Sequence, residues 1–334
     1  MPSEQTMRAQ VLTGFGAPLT LRDVPRPHPG ASEVLVRITA SGVNPLDVKI
    51  AAGAADHARP TLPAILGLDL AGVVVQVGAG VHDLRPGDEV YGMTGGVGGI
   101  PGSLAEYAAV DATLLARAPA TLTALQAAAL PLVFITAWEG LVDRADVREG
   151  QQVLVHGGAG GVGHVAIQIA RARGAQVYAT GSTGQLEVIE ALGATPIDYR
   201  RTPVADYVAA HTSGEGFDIV YDTVGGAMLD ASFTAVRRYA GHVVSSLGWG
   251  THSLAPLSFR GATYSGVFTL APLLTGRGRA HHGEILREAT ALAEAGDLAP
   301  RVDARVFGLD DAPEAHRLIE TGGGAGKLVV RVRS

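Results

Sequence analysis

The sequence contains no cysteine in 334 residues. Disulfides are therefore excluded, and so are thiolate nucleophiles and any zinc site built on thiolates. Charge is also scarce: Asp, Glu, Lys and Arg make up 17% of the chain, with a formal net charge of −6. No polybasic run interrupts that acidic balance, which makes nucleic acid and anionic membrane surfaces poor partners. Met1–Gln10 is polar, with no apolar leader core behind it, so a cytoplasmic location is the default expectation. Ala118–Trp138 carries no charge and is about long enough to span a bilayer. Thr121, Thr123, Gln126, Pro131 and Thr136 lie inside it, and a buried helix is the expectation there. The chain has no internal repeat and no low-complexity tract.

What is plentiful is apolar side chain, at 47%, and glycine, at 45 residues gathered in short clusters. That combination fits many tight turns between buried strands and helices, over a length comfortable for two domains. The first part reads as β-rich: Gln10–Thr13, Glu33–Ala40, Ala71–Val77 and Glu89–Gly92 are short Val/Leu/Ile runs separated by turn clusters. From about Thr121 strand and helix alternate. Strands are expected at Gln152–His156, Gln176–Thr180, Thr195–Asp198, Ile219–Asp222 and His242–Ser246, with helices between them. The alternation predicts an α/β fold with a doubly wound parallel sheet. Beyond Gly266, His282–Ala295 and Ala312–Glu320 read as helices, and Arg305–Phe307 and Lys327–Val332 as strands.

The most informative stretch runs from Val153 to Ala170. Gly158, Gly160 and Gly163 fit the spacing G-x-G-x-x-G, directly after a Val/Leu strand and at the start of an apolar helix. Missing side chains let the backbone turn sharply and approach a pyrophosphate, and the free N–H groups of a helix start can hold it. Gly158, Gly160, Gly161, Val162 and Gly163 are therefore expected to bind the phosphates of a dinucleotide. An NAD site ends its second strand with an acid roughly 20 residues past the loop. Here that strand runs into Thr180, Gly181, Ser182 and Thr183, and no acid comes before Glu187. The reading is NADPH, held at Thr180, Gly181, Ser182 and Tyr199. Arg200 and Arg201 either help or are solvated surface charges.

At this point four blocks carry a resemblance. Ser41-Gly-Val-Asn-Pro-Leu-Asp-Val-Lys49, Pro63-Ala-Ile-Leu-Gly-Leu-Asp-Leu-Ala-Gly72, Arg85-Pro-Gly-Asp-Glu-Val-Tyr-Gly92 and the glycine loop resemble the quinone oxidoreductase branch of the medium-chain dehydrogenase/reductase superfamily. Leu192-Gly-Ala194, Asp222-Thr-Val-Gly-Gly226, Ser246-Leu-Gly248 and Gly326-Lys-Leu-Val329 echo it in the same order. The resemblance implies a GroES-like catalytic domain made by residues 1–123 and 267–334, and a Rossmann NADPH-binding domain over 124–266. It also implies a homodimer. Zinc members of that superfamily place Cys at the position of Asn44 and a His-Glu pair at the positions of Leu68 and Asp69, so no metal is expected.

Without a Lewis acid, the chemistry left is hydride transfer from NADPH to an acceptor that is already activated, a quinone or an α,β-unsaturated carbonyl compound. Such a site needs a donor for the carbonyl oxygen. Asn44 and Lys49 are the expected catalytic residues. Asn44 is suited to the nicotinamide ribose or the substrate carbonyl, and Lys49 to the enolate oxygen or to proton supply. A solvated Lys49, or one paired with Asp47, is the alternative. The resemblance implies cofactor contacts at Thr136, Leu247, Gly248, Phe268 and Lys327. His281 and His282 read as surface histidines, since adjacent side chains point apart. The other reading of the whole is a non-catalytic NADPH-binding structural or sensor protein.

Overall fold

The computed structural model describes residues 5–333; Met1–Glu4 and Ser334 lie outside it. From the N-terminus the strands are β1 (Thr6–Leu12), β2 (Thr20–Pro25), β3 (Glu33–Gly42), β4 (Ala64–Ile65), β5 (Asp69–Val77), β6 (Glu89–Met93), β7 (Tyr107–Asp111) and β8 (Leu115–Arg117). Helix α1 (Pro45–Ala51) interrupts them, and α2 (Ala124–Ala128) and α3 (Pro131–Trp138) follow. The alternating stretch comprises β9 (Gln152–His156), α4 (Gly161–Ala172), β10 (Gln176–Gly181), α5 (Leu186–Ala191), β11 (Thr195–Asp198), α6 (Val204–Thr212), β12 (Ile219–Asp222), α7 (Ala227–Ala235), β13 (His242–Ser245), α8 (Ala255–Ser258) and β14 (Thr263–Gly266). The chain ends with α9 (Ala271–Thr275), α10 (Arg279–Ala295), β15 (Phe307–Gly308), α11 (Ala312–Glu320) and β16 (Val329–Arg331).

These elements form two compact units, one of residues 1–132, 270–296 and 300–334, the other of 133–269 and 297–299. In the first, a seven-stranded sheet runs β15-β16-β3-β5-β6-β8 with β7 also paired to β3, beside a three-stranded sheet β2-β1-β4. β3 and β5 carry the core. Val34, Val36, Ile38 and Ala40 on one, and Leu70, Ala71 and Val74 on the other, have almost no exposed surface. The C-terminal strand β16 pairs antiparallel with β3, Val329 opposite Gly42. That pairing brings residues 43 and 327 together across the whole length of the chain.

The second unit is a six-stranded parallel sheet in the order β11-β10-β9-β12-β13-β14. Counted within the unit this order is 3-2-1-4-5-6, the doubly wound arrangement expected from the alternation. Its direction reverses between β9 and β12, and in such sheets ligands bind outside the carboxyl ends of the strands at that reversal. Helix α4 starts there and is buried from Gly163 to Ala170.

Four details differ from the sequence reading, the first being His282, expected at the surface but fully buried in α10. Ala118–Trp138 is not one helix: it breaks into α2 and α3 at Pro131. Proline has no N–H to continue the first helix and is well placed to begin the second. Helix α2, assigned above to the nucleotide-binding part, packs on β3 and β5 of the first unit instead. The strand expected at Arg305–Phe307 is reduced to Phe307–Gly308, because Asp303 takes the Arg305 backbone N–H and guanidinium. Among the described residues no helix is long and apolar enough to cross a membrane.

Candidate active site

In the second unit, β9 ends at His156 and the chain enters the glycine loop. A Cβ on Gly163 would lie 2.1 Å from the Gly157 carbonyl oxygen, and one on Gly158 would lie 2.6 Å from the Ala179 Cβ. Both distances are shorter than real Cβ contacts, so only glycine allows the first turn of α4 to sit this close to β9 and β10. Gly160 and Gly161 are exposed. The opening N–H groups of α4 lack partners within the helix, as at any helix start. The residues present thus fit a dinucleotide pyrophosphate: Gly158 and Gly163 shape the turn, and the backbone of Gly160, Gly161 and Val162 would hold the phosphates.

Below the loop, Thr180 is buried. Its hydroxyl accepts the Gly157 N–H at 3.3 Å and pairs with His156 Nδ1 at 3.1 Å. Burial pushes the His156 imidazole down to about 4, so the ring is neutral near pH 7. Thr180 therefore braces the loop from beneath. The hydroxyl and N–H of Ser182 both donate to Gln185 Oε1, at 3.1 and 2.9 Å. Of the residues expected around the adenosine ribose, Tyr199 remains largely exposed, with the Arg200 guanidinium over its ring. One residue there was missed. Gly181 lies opposite Asp198 in the β10–β11 register, and the Asp198 carboxylate accepts the Thr183 hydroxyl at 2.6 Å. That bond, first among its contacts, holds the carboxyl below its usual range. An acid does adjoin the second strand, then, but it comes from the third.

On the other side of the reversal, the Asp222 carboxylate accepts N–H bonds from Val224 and Gly225 and the Ser245 hydroxyl. Ser245 in turn accepts the Leu247 N–H at 3.1 Å, which fixes the Leu247–Gly248 turn. Phe268 is exposed, edge-on to Trp249 with ring centres 6.3 Å apart. Thr136, in α3, meets the Thr269 hydroxyl at 3.1 Å.

In the first unit, a proline after Asn44 keeps that residue extended (φ −124°, ψ 149°) as the chain leaves β3 for α1. The Asn44 side chain has no exposed surface. Its Nδ2 donates to Asp69 Oδ2 at 2.9 Å, and its Oδ1 accepts a short bond from Lys327 Nζ. Lys327 Nζ also donates to the Val43 carbonyl at 3.1 Å and lies 3.9 Å from Asp69 Oδ2. The other Asp69 oxygen accepts the Leu132 N–H at 2.8 Å, at the start of α3. The backbone N–H of Asn44 donates to Asp47 Oδ2 at 2.8 Å. The second Asp47 oxygen is also buried, with the Gly67 backbone as the other group that acts on this carboxylate by a hydrogen bond. Burial is the largest influence on all three charges: it pushes Asp47 up to about 7 and Asp69 up to about 6, and lowers Lys327.

Lys49 does not join this cluster. It stands on the exposed side of α1, and Asp47 is bonded to Asn44 rather than to Lys49. The ammonium beside Asn44 belongs to Lys327, 283 residues away along the chain. A zinc ion does not fit these side chains. Leu68 offers no donor atom, Asn44 is an amide whose oxygen already holds an ammonium, and that positive charge would repel a divalent cation at the same oxygen. Among the described residues, no group of three His, Asp or Glu side chains is arranged to hold a metal ion.

The glycine loop on a 3-2-1-4-5-6 sheet, joined in one chain to the N-terminal β unit, agrees with the comparisons. Residues 30–120 match the alcohol dehydrogenase GroES-like domain, and residues 192–330 match the family described as zinc-binding dehydrogenase. An alcohol dehydrogenase superfamily protein from Novosphingobium aromaticivorans has the same fold at a TM-score of 0.96. It shares 59% identity over 98% of this chain and 100% of that one. The NADPH-dependent alkenal/one oxidoreductase of Arabidopsis thaliana, a chloroplastic protein, is 35% identical over 97% of this chain and 79% of its own length. The quinone oxidoreductase of Coxiella burnetii shares 32% identity, with a TM-score of 0.82 over 98% of this chain and 100% of that one.

The chain belongs to the medium-chain dehydrogenase/reductase superfamily. As a member it is an oxidoreductase that works with a nicotinamide cofactor, and its first unit is a GroES-like domain. The superfamily's matched description names zinc, while position 44 is an amide and position 68 a leucine.

Proposed function

We infer that this protein is an NADPH-dependent reductase of quinones and α,β-unsaturated carbonyl compounds that uses no metal. The observation that carries this reading is the Lys327 ammonium bonded to Asn44, where the resemblance puts a metal ligand. A resident cation of the protein's own stands where a Lewis acid would otherwise be bound. The names of the Arabidopsis and Coxiella relatives support the substrate class.

For the coenzyme, the reading rests on Gly158, Gly160, Gly161, Val162 and Gly163 at the pyrophosphate. Ser182, Tyr199 and the adjacent Arg200 are proposed at the 2′-phosphate. Thr136, Leu247, Gly248 and Phe268 are proposed at the nicotinamide end. When bound, the reduced nicotinamide supplies a hydride. The protein's part is to hold both reactants, exclude water and offer a donor to the oxygen that gains charge. The relative's name also favours NADPH over NADH.

The test is a steady-state panel of 1,4-naphthoquinone, 2-cyclohexen-1-one and an unbranched alkenal, each with NADPH and with NADH, before and after chelation. Turnover with NADPH that survives chelation is expected. Turnover that chelator abolishes and zinc restores overturns the metal-free reading, and saturable NADPH binding without consumption of any acceptor overturns the reductase reading.

A further inference from the structure

We propose that Lys327 is the residue that meets the substrate oxygen, and that Asp69 and Asn44 are positioning residues that hold its ammonium in place. The proposal rests on the reductase reading above and assigns its missing donor.

The ammonium has three N–H groups. One is bonded to Asn44 Oδ1 and one to the Val43 carbonyl at 3.1 Å. The nearest carboxylate oxygen, Asp69 Oδ2, is 3.9 Å away, beyond hydrogen-bond reach, so among the described residues the third N–H has no acceptor. Of the cluster's members, Asn44 and Asp69 have no exposed side-chain surface, whereas Lys327 keeps 6%. Lys327 is therefore the one of these three side chains with surface for a ligand to touch. Asn44 is spent internally: its oxygen holds Lys327 and its Nδ2 is held by Asp69.

The orientation is forced by chemistry. A carboxylate only accepts and an ammonium only donates, so the amide between them has one stable flip. Asp69 is itself fixed from its other oxygen by the Leu132 N–H, and by its place opposite Gly42 and Met93 in the sheet. The result is a cation on a rigid mount of β3, β5 and the C-terminal segment. Such preorganised charge is worth most where charge develops during reaction.

In the step concerned, hydride arrives at the β-carbon of an enone with its electron pair. The carbon–carbon π pair shifts toward the carbonyl, and the oxygen becomes an enolate that accepts the third Lys327 N–H. A proton from water then completes the saturated ketone. For a quinone the same donor faces the hydroquinone anion. One NADPH, one acceptor and one proton are consumed per turnover, and the ammonium ends unchanged.

Lys327→Met removes the donor and keeps the length of the stem. The expected result is a loss of about 10²-fold in kcat with 2-cyclohexen-1-one. NADPH affinity, read by fluorescence titration, should stay within about threefold, and the isotope effect with 4-deuterated NADPH should rise as hydride transfer becomes limiting. Because Lys327→Met leaves Asp69 buried without a counter-charge, the double variant Lys327→Met/Asp69→Asn removes both charges and should show the same loss of kcat in a better-folded protein. Lys327→Arg should recover part of it. Weakened NADPH binding with kcat intact in these variants would make Lys327 a coenzyme contact only and overturn the proposal. A wild-type protein that consumes no NADPH with any acceptor would instead bring down the reductase reading, which is a separate result.

Discussion

Asn44 and Asp69 are joined by one buried hydrogen bond of 2.9 Å, and Asp69 thereby answers the only positive charge in the cluster through the amide between them. Replacing Asp69 by Asn keeps the size but removes the nearest countercharge, leaving buried Lys327 with only the weaker influence of Asp47. Breaking one half of a buried ion pair is expected to cost about 3 kcal/mol of stability. In a urea series, Asp69→Asn and Lys327→Met should each destabilise strongly. The double variant should lose less than their sum by at least about 1 kcal/mol. Strict additivity would show that the two charges do not sense each other.

Asp47 gives a second prediction, on pH. Its folded-state value is raised from 3.8 to about 7, chiefly by burial, so between those values the folded protein holds a proton that the unfolded chain has released. Stability contributed by this group is therefore lost as pH rises from about 4 to about 7 and is level above that. Asp69, raised to about 6, acts in the same direction. The buried imidazoles of His156 and His316, both lowered to about 4, act oppositely across much of the same range. The wild-type profile is their sum, so the informative quantity is a difference. Asp47→Asn should gain stability relative to wild type between pH 4.5 and 7.5, with a ceiling of roughly 4 kcal/mol for three pKa units. Urea midpoints at the two pH values measure it, and a constant difference would mean Asp47 titrates normally.

The glycine loop was legible because its signal is local: a Val/Leu strand, three glycines at fixed spacing and an apolar helix lie within 18 residues, Val153 to Ala170. The parallel sheet was legible for the same reason. Lys327 was visible only as part of a Gly-Lys motif, and Lys49 drew the chemical role because it is near Asn44 in sequence. Helix geometry settles otherwise: Lys49 is five residues on, around α1 and facing out, while antiparallel pairing of β16 with β3 brings Lys327 in. Asp198 escaped because the acid is sought at the end of the second strand, and lateral register with the third strand is not written in either segment alone. The break at Pro131 was readable and was passed over in favour of the uncharged run around it.

The loop also supports a paired test of packing. Gly163→Ala puts a methyl 2.1 Å from the Gly157 carbonyl oxygen, so the turn must open and coenzyme affinity should fall at least about tenfold. Gly184→Ala, just beyond Ser182, meets nothing within 4 Å and should leave affinity unchanged. Fluorescence titration with NADPH reads both. Equal affinities in the two variants would remove the phosphates from this loop.

If Ser182, Tyr199 and Arg200 hold a 2′-phosphate as proposed, Arg200 should contribute most, because the other polar groups near it hold bonds within the protein. Ser182 donates to Gln185, Thr183 donates to Asp198, and Arg201 lies 3.8 Å from Asp198 Oδ2. The Arg200 backbone N–H also goes to Asp198, but among the described residues its guanidinium donates only to the exposed Tyr199 hydroxyl, at 3.4 Å, a contact that a 2′-phosphate could replace. A planar guanidinium matches a phosphate in a charge-assisted, paired contact. Arg200→Ala should therefore lower kcat/KM for NADPH by at least about tenfold while leaving NADH nearly unchanged. Asp198→Asn should shift the ratio the other way, since it removes a negative charge on the residue that pairs with Gly181 at the end of β10. If Arg200→Ala changes both coenzymes equally, discrimination lies elsewhere and Arg200 is a surface charge.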